Sequence, residues 1–315
     1  MDLPRFVIEA SDAESMAKQS GLTTLQLLTS LVKPAQTLAR PSISKFHVGA
    51  VGYGSSGRIF LGVNLEFPGL PLHHSVHAEQ FLVTNLSINA ETHLKYIAVS
   101  SAPCGHCRQF LQEIRGAPYT KILITSAEHD KGDKDNLPEY DQFNPLLQLL
   151  PHRFGPDDLL GKDVPLLLEP HHNGLTLLSQ TQNLCNGSCE EHSVEDHVQL
   201  KFAALEAANK SHAPYSGCPS GVALLDSEGK IYKGSYMESA AYNPSLGPVQ
   251  AALVAYIAGG GGTYDKIVAA VLVEKEGALV RQELTARLHL QTISPPSAFR
   301  VFHCSSASDN CKNPS

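Results

Sequence analysis

The chain has 315 residues, 42% of them hydrophobic and 17% charged, with seven cysteines and a formal charge of −7. That length suits two medium domains with a sizeable core. The longest apolar runs, such as Ile267 to Val273, are too short to cross a bilayer. An acidic chain without a Lys/Arg cluster opposes tracking along nucleic-acid phosphates. The start, Met1-Asp2-Leu3-Pro4-Arg5, lacks the basic stretch and apolar core of a secretory leader, so the expected location is the cytoplasm. Cysteines there are thiols or metal ligands, and the sequons at Asn85, Asn186 and Asn209 carry no weight.

Taken in order, residues 22–39 read as helical, with Leu22, Leu25, Leu28 and either Leu31 or Val32 at three- to four-residue steps and Pro34 as a break. Phe46 to Val51 and Ile59 to Val63 read as two strands of a hairpin. The turn Gly52-Tyr53-Gly54-Ser55-Ser56-Gly57 has the spacing of a dinucleotide fingerprint, but a strand follows where a helix is required, so it is read as a turn. His77 to Leu86 reads as a helix with Ala78, Phe81, Leu82 and Leu86 on one side, and Tyr96 to Ser100 as a buried strand. Pro103 opens a second helix through Cys107, Phe110, Leu111 and Ile114, and Lys121 to Thr125 is the next strand. Hairpin, helix, strand, helix, strand implies helices packed on a mixed sheet.

Two stretches carry chemistry: Val76-His77-Ala78-Glu79 and Pro103-Cys104-Gly105-His106-Cys107. His77, Cys104 and Cys107 offer one imidazole and two thiolates, three ligands that leave a tetrahedral Zn²⁺ with an open position. His77 and Cys104 are 27 positions apart and converge only if the fold joins two helix starts, where the helix dipole favours thiolate. Glu79 is then placed to move protons beside that position. A structural zinc site needs four strong ligands. His106 on a helix points elsewhere, and His73 and His74 read as polar loop residues.

These residues resemble the zinc-dependent cytidine deaminases of nucleoside salvage. The runs Phe46-His47-Val48-Gly49-Ala50 and Gly62-Val63-Asn64-Leu65-Glu66-Phe67 extend the resemblance to that family's substrate strands. It implies an α/β fold, a three-layer αβα sandwich with a mixed sheet, duplicated within the chain. It also implies one zinc per chain on His77, Cys104 and Cys107, with Glu79 as the catalytic acid/base. Phe46 would then pack on the pyrimidine, Asn64 and Glu66 bind the sugar hydroxyls, and Ala78 join the substrate wall. Cytidine and deoxycytidine would give uridine, deoxyuridine and ammonia. On the residues alone, Phe46 reads equally well as core, and Asn64-Leu65-Glu66 as a strand end entering a turn.

The second half weakly echoes the first. Ala213-Pro214-Tyr215-Ser216 and Gly221 to Leu224, a turn at Gly229-Lys230 and a strand Ile231 to Ser235 precede Gly247-Pro248-Val249-Gln250. In that alignment Pro248 replaces the ligand and Gln250 the acid, and no CxxC follows. The chain therefore resembles the homodimeric two-domain branch of the family, whose inert copy completes the partner subunit's site. Phe154, Ala240 and Ala241 match segments that reach the base from that partner. The expected division is a helical segment 1–40, a catalytic domain 41–150, linker and loops 151–190, and a degenerate domain 191–315. Cys185, Cys189, His192 and His197 are loosely spaced for a second zinc, and a loop before a helix at Glu195 to Asn209 is the simpler account. A polynucleotide cytosine deaminase and a non-enzymatic zinc-stabilised interaction protein are the alternatives. No membrane and no nucleic-acid partner is expected.

Overall fold

Glycines at strand positions set how closely helices approach the first sheet. A computed structural model describes residues 6–125, 143–178 and 194–306. After β1 (Val7–Ile8), α1 (Ala10–Ser20) and α2 (Thr24–Gln36), the hairpin β2 (Gly49–Gly54) and β3 (Ile59–Val63) leads to α3 (Ala78–Ile88) and β4 (Leu94–Val99). Then come α4 (Gly105–Phe110), β5 (Lys121–Ile124), β6 (Asn144–Pro145) and the short α5 (Leu146–Leu149) and α6 (Pro156–Leu159). The sheet order is β1-β3-β2-β4-β5-β6, with β4 and β5 parallel and the other pairs antiparallel. A Cβ on Gly49 would meet Val32, Ala35 and Gln36 of α2, whereas one on Gly62 would come within 2.2 Å of the Ala78 carbonyl of α3. Gly62 pairs with Ala50, the neighbour of Gly49, so the two glycines face opposite ways and α2 and α3 cover opposite faces. This is the expected three-layer arrangement.

The helix that carries His77 is enclosed on all sides, with every residue from Ala78 to Leu86 buried. Phe6 stacks on Phe81 with ring centroids 5.1 Å apart, and the Asn85 amide donates to the Phe6 and Leu61 carbonyls at 2.9 and 3.1 Å. Such a helix has little freedom to shift relative to the sheet.

Several element limits differ from the sequence reading, each for a local reason. Helix α2 starts at Thr24 because Thr23 and Gln26 form a capping box. Helix α1 went unread because Ala13 is its one buried residue, although Gly21, left-handed at φ 66°, ends it in the usual way. Strand β2 starts at Gly49 rather than Phe46, since the Asn64 side chain holds the Phe46 carbonyl and the Val48 N–H. It runs on to Gly54, paired with β4. The turn that follows already contains an anion. Buried Glu91 accepts from the backbone N–H groups of Ser55 and Ser56 and from both hydroxyls, which uses the donors a phosphate would need.

The later elements are β7 (Leu175–Leu177), α7 (Val194–Asn209), β8 (Ser220–Asp226), β9 (Ile231–Ser235), α8 (Pro248–Ala258), β10 (Ile267–Lys275), α9 (Glu283–Ile293) and β11 (Ala298–Ser306). Their sheet runs β7-β11-β10-β8-β9 with β10 and β11 parallel. Gly221 lies against Ala204 and Ala208 of α7, and Gly234 against Pro248 and Ala252 of α8, which repeats the roles of Gly49 and Gly62. Contacts divide the chain into two compact units. One is Met1–Glu169 with Ser239–Ser245 and Ala258–Gly260; the other is Pro170–Glu238 with Leu246–Ile257 and Gly261–Ser315. Strand β7, inside the stretch read as linker, is an edge strand of the second sheet. Cys185, Cys189, His192 and the tail beyond Ser306 lie outside the described residues, as does the side chain of His197.

The repeat can be followed bond by bond, which corrects one register. Leu65 bridges Val76 and Met237 bridges Leu246, while the Phe81 N–H donates to His77 O and the Ala251 N–H to Gly247 O. His77 therefore corresponds to Gly247, Glu79 to Val249 and Gln80 to Gln250, one position away from the sequence alignment. The segment between Glu238 and Leu246 is shorter than that between Glu66 and Val76, and this hid the shift.

Candidate metal centre and cavity

His77 is the N-cap of α3 and Cys104 the N-cap of α4, so both residues sit in extended backbone where a helix begins. The His77 Nδ1 lies 3.4 Å from Cys104 Sγ and 3.2 Å from Cys107 Sγ, and the three atoms fall within 4.8 Å of one another. With Zn–S of about 2.3 Å and Zn–N of about 2.0 Å, tetrahedral geometry separates sulfur from nitrogen by roughly 3.5 Å. The donor set and spacing fit that ion. Hydrogen bonds from Cys107 and His77 push the Cys104 thiol down to about 3, a thiolate at neutral pH. Cys107, fully buried, is pushed up by its bond to Cys104 and by burial. A bound dication would make both sulfurs thiolates.

Glu79 is 4% exposed, and burial pushes its carboxyl up from the usual range despite hydrogen bonds that oppose the shift. A cavity of about 470 Å³ opens beside it, lined among others by His77, Ala78, Cys104, Phe46, Asn64 and Glu66. Among the described residues that line it there is no Lys or Arg. Phe46 is 59% exposed, which separates it from the core reading. A groove of about 600 Å³ near α1 and α2, lined by Ile8, Leu31, Pro34 and Leu38 among others, lies away from the His/Cys cluster.

The fold therefore gathers His77, Cys104, Cys107, Glu79, Ala78, Phe46, Asn64 and Glu66 around one space. Phe154, Ala240 and Ala241 do not line that space within the chain. Ala240 is buried and donates its N–H to Glu113 at 2.8 Å, and the Phe154 carbonyl accepts from Gln109. His106 stays out of the ligand set, with its ring 5.5 Å from that of His77.

Sequence reasoning passed over Gln80. Its amide oxygen accepts from the His77 N–H at 3.3 Å, and its nitrogen lies 3.1 Å from both His106 Nε2 and the Pro244 carbonyl. One buried amide thus joins the His77 and Cys104–Cys107 segments. The visible signal was a Gln three residues past a helix start.

Comparison with known proteins agrees with this geometry. Two family models, each for the cytidine and deoxycytidylate deaminase zinc-binding region, match residues 23–122 and residues 146–287 respectively. Cytidine deaminase 1 of Arabidopsis thaliana is 65% identical over 96% of this chain and 99% of its own length. Cytidine deaminase 7 of the same plant is 50% identical over 96% of this chain and 95% of its own. A solved cytidine deaminase from Mycobacterium leprae covers 41% of this chain and 98% of its own at 25% identity, with a TM-score of 0.33, too low to bear on the fold. Two matched zinc-binding regions, relatives similar along nearly their whole length and a His/Cys/Cys cluster at two helix starts lead to one conclusion: the chain belongs to the cytidine and deoxycytidylate deaminase family.

Proposed function

We propose that the chain hydrolyses cytidine and deoxycytidine to uridine and deoxyuridine with release of ammonia, working from the unit that contains His77. The observation that carries this reading is Glu79, buried beside the His77, Cys104 and Cys107 atoms at a cavity of nucleoside size. His77, Cys104 and Cys107 would hold one zinc, which supplies a water nucleophile at neutral pH. The roles of the chain's own residues follow from their placement. Glu79, its carboxyl raised by burial, takes the proton of the attacking water, gives it to N3 of the ring, and later delivers a proton to the departing amino group. A C4–O bond forms and the C4–N bond breaks. Phe46 offers its ring face to the base, Ala78 leaves room beside it, and Asn64 and Glu66 form the polar wall on the sugar side. A cavity without Lys or Arg disfavours a phosphorylated or polymeric substrate.

The catalytic assembly is proposed to be a homodimer in the cytoplasm. Ile43, Phe46 and Leu72 leave an apolar rim exposed at the cavity, the kind of surface a second subunit covers, with Phe154, Ala240 and Ala241 arriving from that subunit. Among the described residues no helix is long and apolar enough to cross a membrane.

The deciding assay measures ammonia release from cytidine, deoxycytidine, cytidine monophosphate and adenosine, with zinc quantified on the same sample. Turnover of the first two with about one zinc per chain is expected. Silence on all four sinks the reading. Light scattering tests the dimer.

A further inference from the structure

Two copies of one fold, only one of them equipped for chemistry, sort residues by purpose. The first copy has His77, Glu79, Asn64 and Phe46 where the second has Gly247, Val249, Tyr236 and Cys218. One polar device survives in both. Glu66 accepts from the backbone N–H groups of Ile43 and Ser44, each at 2.7 Å, and from the Ser44 hydroxyl. Glu238 accepts in the same way from Tyr215 and Ser216, at 2.9 and 3.1 Å, and from the Ser216 hydroxyl. In each copy the serine hydroxyl also receives the N–H of the residue two positions on, Phe46 or Cys218, at 3.0 Å. The second copy keeps the carboxylate and serine where it has Gly247 and Val249 in place of His77 and Glu79, so there they serve the loop, and in the first copy Glu66 holds the loop as well as lining the cavity.

We infer that Ser44 is a positioning residue: with Glu66 it clamps residues 43–46 and so sets Phe46 at the cavity wall. Among the clamped side chains Phe46 is the aromatic at the cavity, exposed in the first copy, whereas its counterpart Cys218 is buried in the second. Asn64 fixes the far side of the same residue by donating to the Phe46 carbonyl and accepting from Val48, both at 2.9 Å. The aromatic ring is thus carried on a loop held at both ends, and its placement costs the substrate no ordering entropy. Ser44 also lines the cavity, but its hydroxyl is committed to Glu66 and to the Phe46 N–H, so it acts through Phe46.

The inference rests on the nucleoside reading of the cavity, and the experiment separates the two. Steady-state kinetics with cytidine are measured on the full chain for wild type, Ser44→Ala, Phe46→Ala and the double variant, with Ser216→Ala as control and zinc content and melting temperature recorded for each. If wild type releases no ammonia, the functional reading fails before the variants are compared. Given turnover, Ser44→Ala should raise KM by about tenfold, with kcat within about twofold, and add less than about twofold once Phe46 is already alanine. Ser216→Ala should leave KM unchanged. A wild-type KM for Ser44→Ala, or the full loss repeated on the Phe46→Ala background, overturns the clamp. Should Ser44→Ala lose its zinc or its melting transition, Ser44→Cys, a weaker donor, is judged on the same cycle.

Discussion

The two halves share a hairpin, a helix packed on glycine and a carboxylate–serine clamp, yet they begin the helix after the hairpin differently. In the first half that start presents His77 and Glu79 to two cysteines at the next helix start. In the second, Gly247 and Val249 stand there, and β10 runs on to Lys275, where buried Glu274 accepts the Gln282 N–H at the head of α9. A carboxylate therefore secures in one half the kind of helix start that carries the proposed metal ligands in the other. The lesson is that the glycines, the carboxylate–serine bonds and a satisfied helix end accompany the fold in both halves, whereas the proposed ligands and acid occur in one half only.

That contrast can be tested at graded strength. The largest effect should come from Cys104→Ala, which takes zinc from about one per chain to near none and abolishes turnover, while Gly247→His adds no zinc because no CxxC follows α8 to match Cys104 and Cys107. Zinc analysis beside the ammonia assay decides it, and retained zinc in Cys104→Ala would break the comparison. Next, Glu79→Gln should keep its zinc and lose about 10³-fold in kcat. Near wild-type turnover in that variant would remove Glu79 from the chemistry. Third, Gly62→Ala and Gly234→Ala each force a methyl against a helix backbone, at 2.2 and 2.1 Å, and should each cost about 1–3 kcal/mol in denaturant melts. Only Gly62→Ala should also loosen zinc, since its helix begins at His77; equal zinc affinity in both would separate the ligands from that packing.

The smallest effect concerns the hairpin turns. The first half closes its turn with Glu91, brought in from beyond α3, and the second with its own Asp226, which accepts the Glu228 and Lys230 N–H groups. Burial alone would raise the Glu91 carboxyl, but hydrogen bonds from Ser55 and Ser56 and the charge of Arg58 win and hold it below the usual carboxylate range. A carboxyl lowered on folding stabilises the native state above its unfolded value and loses that contribution as pH falls through the folded one. The melting-temperature deficit of Glu91→Gln should therefore stay constant from neutral pH to the top of the usual carboxylate range and shrink below it. A deficit that shrinks with rising pH has the wrong sign.

Much of this was legible in the residues. Periodicity located α3, β4 and β5, and the spacing of one histidine and two cysteines located the ligand cluster, because both are local signals. What stayed hidden is non-local. The Asn64 bonds that delay β2, the Gln80 amide between two segments and the Glu91 carboxylate in the hairpin all join groups more than ten residues apart, and no window of sequence displays such pairs. The one-position slip in aligning the halves arose in the same way, from a shortened segment whose ends only the Leu65–Val76 and Met237–Leu246 bridges identify.

Asn85 stands in an Asn-Leu-Ser acceptor sequence, and its side-chain amide, fully buried, is committed to the Phe6 and Leu61 carbonyls. A sugar attached there before folding would replace one of the two amide hydrogens, so that at most one of the two bonds could form, and would wedge a bulky polar group between α3 and the sheet. A chain threaded through a glycosylating compartment and modified at Asn85 would therefore be unable to close the helix that carries His77, so this one amide makes the fold dependent on the biosynthetic route taken before it forms.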